Sequence, residues 1–195
     1  QDDTVNNIFD NNVGVAAQSG VDVQFNRIYG NGTGVTAADN TRVHHNRIFR
    51  QSGDAVRVSG DDGVLIDNNT IYSPNDDGVW IGGQSSDTTL RNNIIWNESG
   101  FGIYVETTSQ PGFDSDYNNL FASNNGQIVW FQKPFDDLLD WQIESRFDLH
   151  SIGTTRVDPM LDQPDFVDLA NDDYRINSGA TTINSGDPAY GFGDE

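Results

Sequence analysis

The sequence predicts an all-β fold: a right-handed parallel β-helix, a solenoid of at least six coils with an irregular C-terminal cap. Three observations predict it. A motif of Asn, any residue, Ile or Leu, and an aromatic occurs six times, at Asn6–Phe9, Asn26–Tyr29, Asn46–Phe49, Asn69–Tyr72, Asn93–Trp96 and Asn118–Phe121. A second short apolar segment follows each motif and opens on Gly or Ala in five of the six repeats. A third precedes the Asn, as in Val21–Val23, Thr41–Val43 and Val64–Ile66. Three short strands in just over twenty residues, separated by turn residues, make one coil of a solenoid.

Strand alternation assigns the faces. In the strand after the Asn, Ile8, Ile28, Ile48, Ile71, Ile95 and Leu120 point inward. In the next strand Val15, Val35, Val56, Val79 and Ile103 do the same. The Asn column falls at a tight turn, where Asn tolerates left-handed geometry. Stacked amides there can hydrogen-bond from coil to coil and satisfy the polar groups that the turn buries. The column Phe9, Tyr29, Phe49, Tyr72, Trp96 and Phe121 points outward or into the following turn. A stack of that size needs cover from a glycan, another subunit or the chain's own tail, and the tail is the expected cover. The coils are assigned to residues 1–131, and a final irregular coil or two with the cap to residues 132–195. Within the latter, Lys133 to Trp141 reads as a charged loop.

Composition narrows the function. Ten Lys plus Arg stand against thirty Asp plus Glu, a net charge of −20, which excludes the basic surface that nucleic acid needs. Hard cations such as Ca²⁺ prefer carboxylate oxygens, so Ca²⁺ is the cofactor this surface would take; the plainer reading of the excess acid is solubility. With no cysteine, disulfides and thiolate metal sites are excluded. No apolar run approaches a membrane span, and the chain enters its first repeat directly from Gln1, with four residues to cover the first coil. An upstream segment removed or left out, or head-to-tail stacking of a second copy into a filament, would supply that cover.

The repeat resembles the pectate-lyase-type right-handed β-helix superfamily over about residues 3 to 131, through its Asn ladder. Trp141, Asp148–Ser151, Asp158–Leu161 and Asp173–Gly179 running on to Ile183–Asp187 resemble the C-terminal ending of secreted β-helix proteins. That resemblance implies a cap and an extracellular or cell-surface bacterial or archaeal protein. It does not specify an activity, because fold is not function.

The strand opening on Gly or Ala usually forms the binding cleft in that superfamily. Its outward column reads Ala16, Thr36, Arg57, Trp80 and Tyr104. Aromatic faces bind sugar rings, and Arg can hold a carboxylate bidentately. Asp54 sits at the turn entering this strand, and Asp76 and Asp77 sit at the turn one coil on. Paired carboxylates beside a sugar-binding strip serve general acid–base chemistry on a glycosidic bond; Asp-Gly before a strand is also ordinary turn chemistry. Asp54, Asp76, Asp77 and Arg57 are the candidate catalytic residues, and Arg57, Trp80 and Tyr104 the candidate substrate-binding residues. The polygalacturonases are similar in carrying active-site aspartates on successive coils, but their downstream His and Arg-x-Lys motifs are missing here. A lyase reading would need Arg57 as base, since the only lysine is Lys133 in the tail.

Alternation puts His44 and His45 on opposite faces, unable to chelate one metal together, with Asp67 beside His44 in a small surface cluster. Trp141, Asp148 and His150 are expected to pin the cap. Two functions stay open: a polysaccharide-binding or polysaccharide-processing protein, and a non-enzymatic surface-layer, sheath or filament subunit.

Overall fold

The computed structural model describes residues 5–189; the expectation placed on Gln1–Thr4 lies outside them. Three parallel sheets run the length of the solenoid. The first stacks Asn6–Phe9, Asn26–Tyr29, Arg47–Phe49, Thr70–Ser73, Ile94–Asn97, Asn119–Ala122 and Ile152–Gly153. The second stacks Val13–Ala16, Thr33–Ala37, Val56–Ser59, Val79–Gly82, Phe101–Val105 and Gln127–Phe131, with Lys133–Phe135 added antiparallel at its end. The third stacks Asp22–Gln24, Arg42–His44, Leu65–Asp67, Thr89–Arg91 and Asp114–Asp116.

Because the third sheet has five strands, five coils are complete, one fewer than the repeat count predicts. The sixth has its first two strands, but Lys133–Phe135 and an α-helix at Leu138–Ser145 replace the third. The region read as a charged loop is therefore ordered. Asp137 caps the helix by accepting from the backbone N–H of Leu139 and Asp140, and Trp141, three residues after Leu138, seals the end of the core with no exposed surface.

The inward columns stack in the expected register. Ile8, Ile28, Ile48, Ile71, Ile95 and Leu120 are successive partners. So are Val15, Val35, Val56, Val79, Ile103 and Val129. From the second coil on they are buried completely or nearly so. Each buried aliphatic side chain contributes roughly 1.5–3 kcal/mol, so the stack supplies most of the driving force for closing a coil.

The Asn ladder is continuous. The backbone N–H and Nδ2 of Asn46 both donate to Oδ1 of Asn69, at 3.0 and 3.1 Å, and Asn69 donates in the same way to Asn93. Nδ2 of Asn69 also reaches the carbonyls of Val43 and Asp67. The left-handed residue at this corner is not the ladder Asn but the residue before it: Phe25, His45, Asn68, Asn92 and Tyr117 all have φ between 54° and 57°. That conformation turns the next side chain inward, so an amide replaces an apolar group at the corner. The tail closes the ladder. Asn118 N–H donates to Ser151 Oγ at 2.8 Å, and Asn118 Nδ2 to Asp148 Oδ1. Asp148 also accepts from Trp141 Nε1 at 2.9 Å, so Trp141 and Asp148 do pin the cap. His150 pins the tail from the surface, its backbone N–H and Nδ1 both bonded to Asp116 and its ring stacked on Tyr117.

The outward aromatic column is covered by the chain itself. Tyr174 lies 4.7 Å from Phe49, and Phe166 stacks 5.8 Å from Trp96, so Phe49, Tyr72, Trp96 and Phe121 are buried. Arg50 fixes the tail through Asp172 at 3.0 Å. Phe9 lies beyond this cover.

Replacing Asn69 by Ala leaves the backbone N–H of Asn46 buried without its acceptor and removes one donor from the buried Oδ1 of Asn93. Thermal or urea unfolding should show a loss of roughly 1–3 kcal/mol for each such group. An unchanged melting temperature would mean that the ladder adds nothing to stability.

Candidate functional site

On the second sheet, strand pairing brings Ala16, Thr36, Arg57, Trp80 and Tyr104 into one column and extends it to Trp130. Trp130 was not among the residues expected there. Its strand opens less regularly, on Gly126-Gln127, and the preceding coil is longer; counting from the aligned core residues Ile103 and Val129 would have found it. Arg57, Trp80, Tyr104 and Trp130 are all half-buried. The rings of Trp80 and Tyr104 lie 6.4 Å apart and those of Tyr104 and Trp130 5.8 Å apart, each pair within 7° of parallel. Phe101 closes the side of the strip, 5.6 Å from Trp130.

Gly82 makes room for this arrangement. A Cβ there would stand 2.2 Å from the outer edge of the Trp80 ring, so only glycine lets the indole lie back along its own strand. Over the face of the ring, the Arg57 guanidinium sits 3.7 Å from the centroid and donates to Asp54 Oδ2 at 2.7 Å. Asp54, Arg57 and Trp80 thus form one stacked unit.

Beside it the structure brings Asp54, Asp76 and Asp77 together, with one carboxylate oxygen of each within 4.8 Å of the others. Asp54 and Asp77 are buried and Asp76 is exposed. Ser73 Oγ holds the turn by donating to the carbonyls of Asp76 and Asp77, and Asp77 Oδ1 accepts from the backbone N–H of Phe101 at 2.7 Å. Burial pushes the Asp77 carboxyl up to about 7, against the Phe101 hydrogen bond and helped by Asp54 and Asp76. Burial raises Asp54 as well, with the Arg57 hydrogen bond opposing it. Carboxylates this close do not all ionise together, so the cluster can share a proton at neutral pH or place its oxygens around a hard cation.

The histidine pair differs from expectation. His45 is the left-handed residue of its corner, with φ of 54°, so alternation fails and its Nδ1 meets that of His44 at 2.8 Å. Asp67 is not part of an open surface cluster: it is fully buried and holds Arg42 through both carboxylate oxygens. Burial and Arg42 lower the affinity of His44 for a proton. The two imidazoles form a hydrogen-bonded pair through their Nδ1 atoms, and Nε2 of His44 is buried without a partner.

The proton on Asp77 has a consequence for stability. In the unfolded chain an Asp ionises near pH 4; in the folded chain Asp77 holds its proton to about 7. Between those values the folded state binds more protons than the unfolded one, so the group lowers stability progressively as pH rises and fully above about 7. Asp77→Asn retains an oxygen for the Phe101 N–H. It should stabilise the fold more at pH 8 than at pH 4.5, by a difference in unfolding free energy on the order of a few kcal/mol, read from denaturant melts at the two pH values. Equal shifts at both pH values would contradict the raised pKa.

Comparison with known proteins addresses the fold. No curated protein sequence matches the chain. Among solved structures, a double mutant of the periplasmic alginate epimerase AlgG superimposes with a TM-score of 0.54 at 15% identity. The match covers 77% of this chain but 37% of AlgG, so the similarity is one of backbone architecture. No helix among the described residues is long and apolar enough to cross a membrane. A family model described as a right handed beta helix region matches residues 11–134, the stretch that carries the ladder and the ring column. That match extends over more than half of the sequence, and the chain belongs to the right-handed β-helix family.

Proposed function

We propose that this chain is a glycan-contacting β-helix protein that works outside the cytoplasm and binds polysaccharide along the Arg57–Trp130 strip. The observation that carries the reading is the set of parallel rings, Trp80, Tyr104 and Trp130, held half-exposed on consecutive coils. Their spacing is close to the length of a pyranose unit, so one chain laid along the solenoid axis can meet successive rings. Aromatic surface that the tail leaves uncovered, bordered by carboxylates that accept from hydroxyls, suits a sugar better than an apolar partner. The periplasmic alginate epimerase with a similar fold is itself a polysaccharide enzyme, which supports this reading and the location outside the cytoplasm.

A second reading, glycoside hydrolysis, is favoured by the clustered carboxyls of Asp54, Asp76 and Asp77, of which burial pushes Asp77 up to about 7. A carboxyl protonated at neutral pH can donate to a glycosidic oxygen, while Asp76 or Asp54 beside it serves as the base toward water. Arg57 would then position Asp54 rather than touch the reacting atoms.

Binding is tested on a glycan array and by affinity electrophoresis. Trp80→Ala and Trp130→Ala should each weaken binding about tenfold or more, since an aromatic platform contributes a kcal/mol or two, with unchanged circular dichroism. Undiminished binding in both variants would remove this face from consideration. Reducing-sugar release that is present in the wild type and absent in Asp77→Asn would support hydrolysis. Activity that persists in Asp77→Asn would end Asp77's role as the acid.

A further inference from the structure

We propose that the strip selects uncharged polysaccharide and rejects uronide chains, an inference that rests on the glycan reading above. A uronate carries a carboxylate on every sugar, and carboxylates accept hydrogen bonds without donating. A cleft that binds such a chain directly needs cations that are available to it. Among the described residues, the strands of the second sheet contain two basic side chains, Arg57 and Lys133. Arg57 is engaged by Asp54 at 2.7 Å and lies against the face of Trp80. Lys133 is engaged by Glu144, also at 2.7 Å.

The remaining charges on this face are negative. Asp76 is exposed beside the strip, and Glu106, one strand position beyond Val105, holds the backbone N–H of Gly83 at 2.9 Å. A uronide chain would bring its carboxylates against these groups with no cation to offset the repulsion. A neutral chain meets no such penalty. Its hydroxyls donate to the same carboxylates, and its apolar C–H surface lies along the exposed flanks of Trp80, Tyr104 and Trp130. Arg57, read from the sequence as a carboxylate clamp, is here a positioning residue that joins Asp54 to Trp80.

The test uses the full chain, in EDTA at fixed ionic strength, against two groups of soluble polysaccharides: galactan, xylan and mixed-linkage glucan, and polygalacturonate and alginate. At least one neutral chain should bind at least about tenfold more tightly than either uronide. Asp76→Asn, which changes an exposed side chain, should raise uronide affinity relative to neutral affinity. Asp54→Asn should raise it further by releasing Arg57. Uronides bound as well as or better than neutral chains in EDTA would overturn the proposal. So would uronide binding that appears only with added Ca²⁺, which would make the three carboxylates a cation bridge. Failure of every polysaccharide to bind is a different result, and would overturn the glycan reading itself.

Discussion

The structure depends on one hydrogen-bonded column, the Asn ladder at the corner between the third and first sheets. A parallel solenoid has to turn sharply three times per coil, and each turn takes backbone groups out of the ladders that would satisfy them. At this corner a left-handed residue aims the next side chain inward, and an amide, neutral and long enough to span to the next coil, both accepts from the coil before and donates to the coil after. Each buried Oδ1 from Asn46 to Asn118 takes two such bonds. This fixes the vertical register of every coil. The external columns inherit that register, so Arg57, Trp80, Tyr104 and Trp130 stand in line because the amides inside do.

The corner after the first sheet is met in part by a second polar run. Asn31 Oδ1 accepts from Asn11, and Gln51 Oε1 from Asn31. Beyond Gln51 the run gives way to the Ser73 hydroxyl and the Asp76–Asp77 turn. The acid cluster lies further along the same corner, Asp54 three residues after Gln51 and Asp77 aligned with Asp54 in the next coil, and its carboxylates face a crowded corner. Their burial and mutual repulsion raise Asp77. Two aromatic columns also part ways here: the chain's own tail buries one on the first sheet, while the one on the second sheet stays half-open.

What could be read from the sequence was whatever repeats. Inward aliphatics, ladder amides and the Arg57–Tyr104 column follow from a period and a parity, and the structure places them together. Features that break the rule were hidden. His45 looks like a strand residue until its left-handed φ turns it toward His44. The helix at Leu138–Ser145 has a readable signature, an Asp cap followed by Leu and Trp three apart, but four acids from Asp136 to Glu144, with only Lys133 nearby, give it the look of a loop. The salt bridge from Arg57 to Asp54 spans three residues across a turn, and strand parity alone does not show that a turn residue reaches back over its strand. It is this contact that changes the meaning of the arginine.

The amides of the ladder all point the same way. Every Oδ1 faces the N-terminal neighbour and every Nδ2 reaches toward the C-terminal one, so their dipoles add along the axis as peptide dipoles do in a helix. The positive end of the column falls on the last coil, where the acceptors are Ser151 and the buried carboxyl of Asp148. An acidic group at that pole is electrostatically matched, and the same group at the other end would be opposed. The solenoid therefore has a polarity written into its interior: coils could be inserted anywhere between Asn26 and Asn118 without disturbing it, whereas its two ends are not interchangeable.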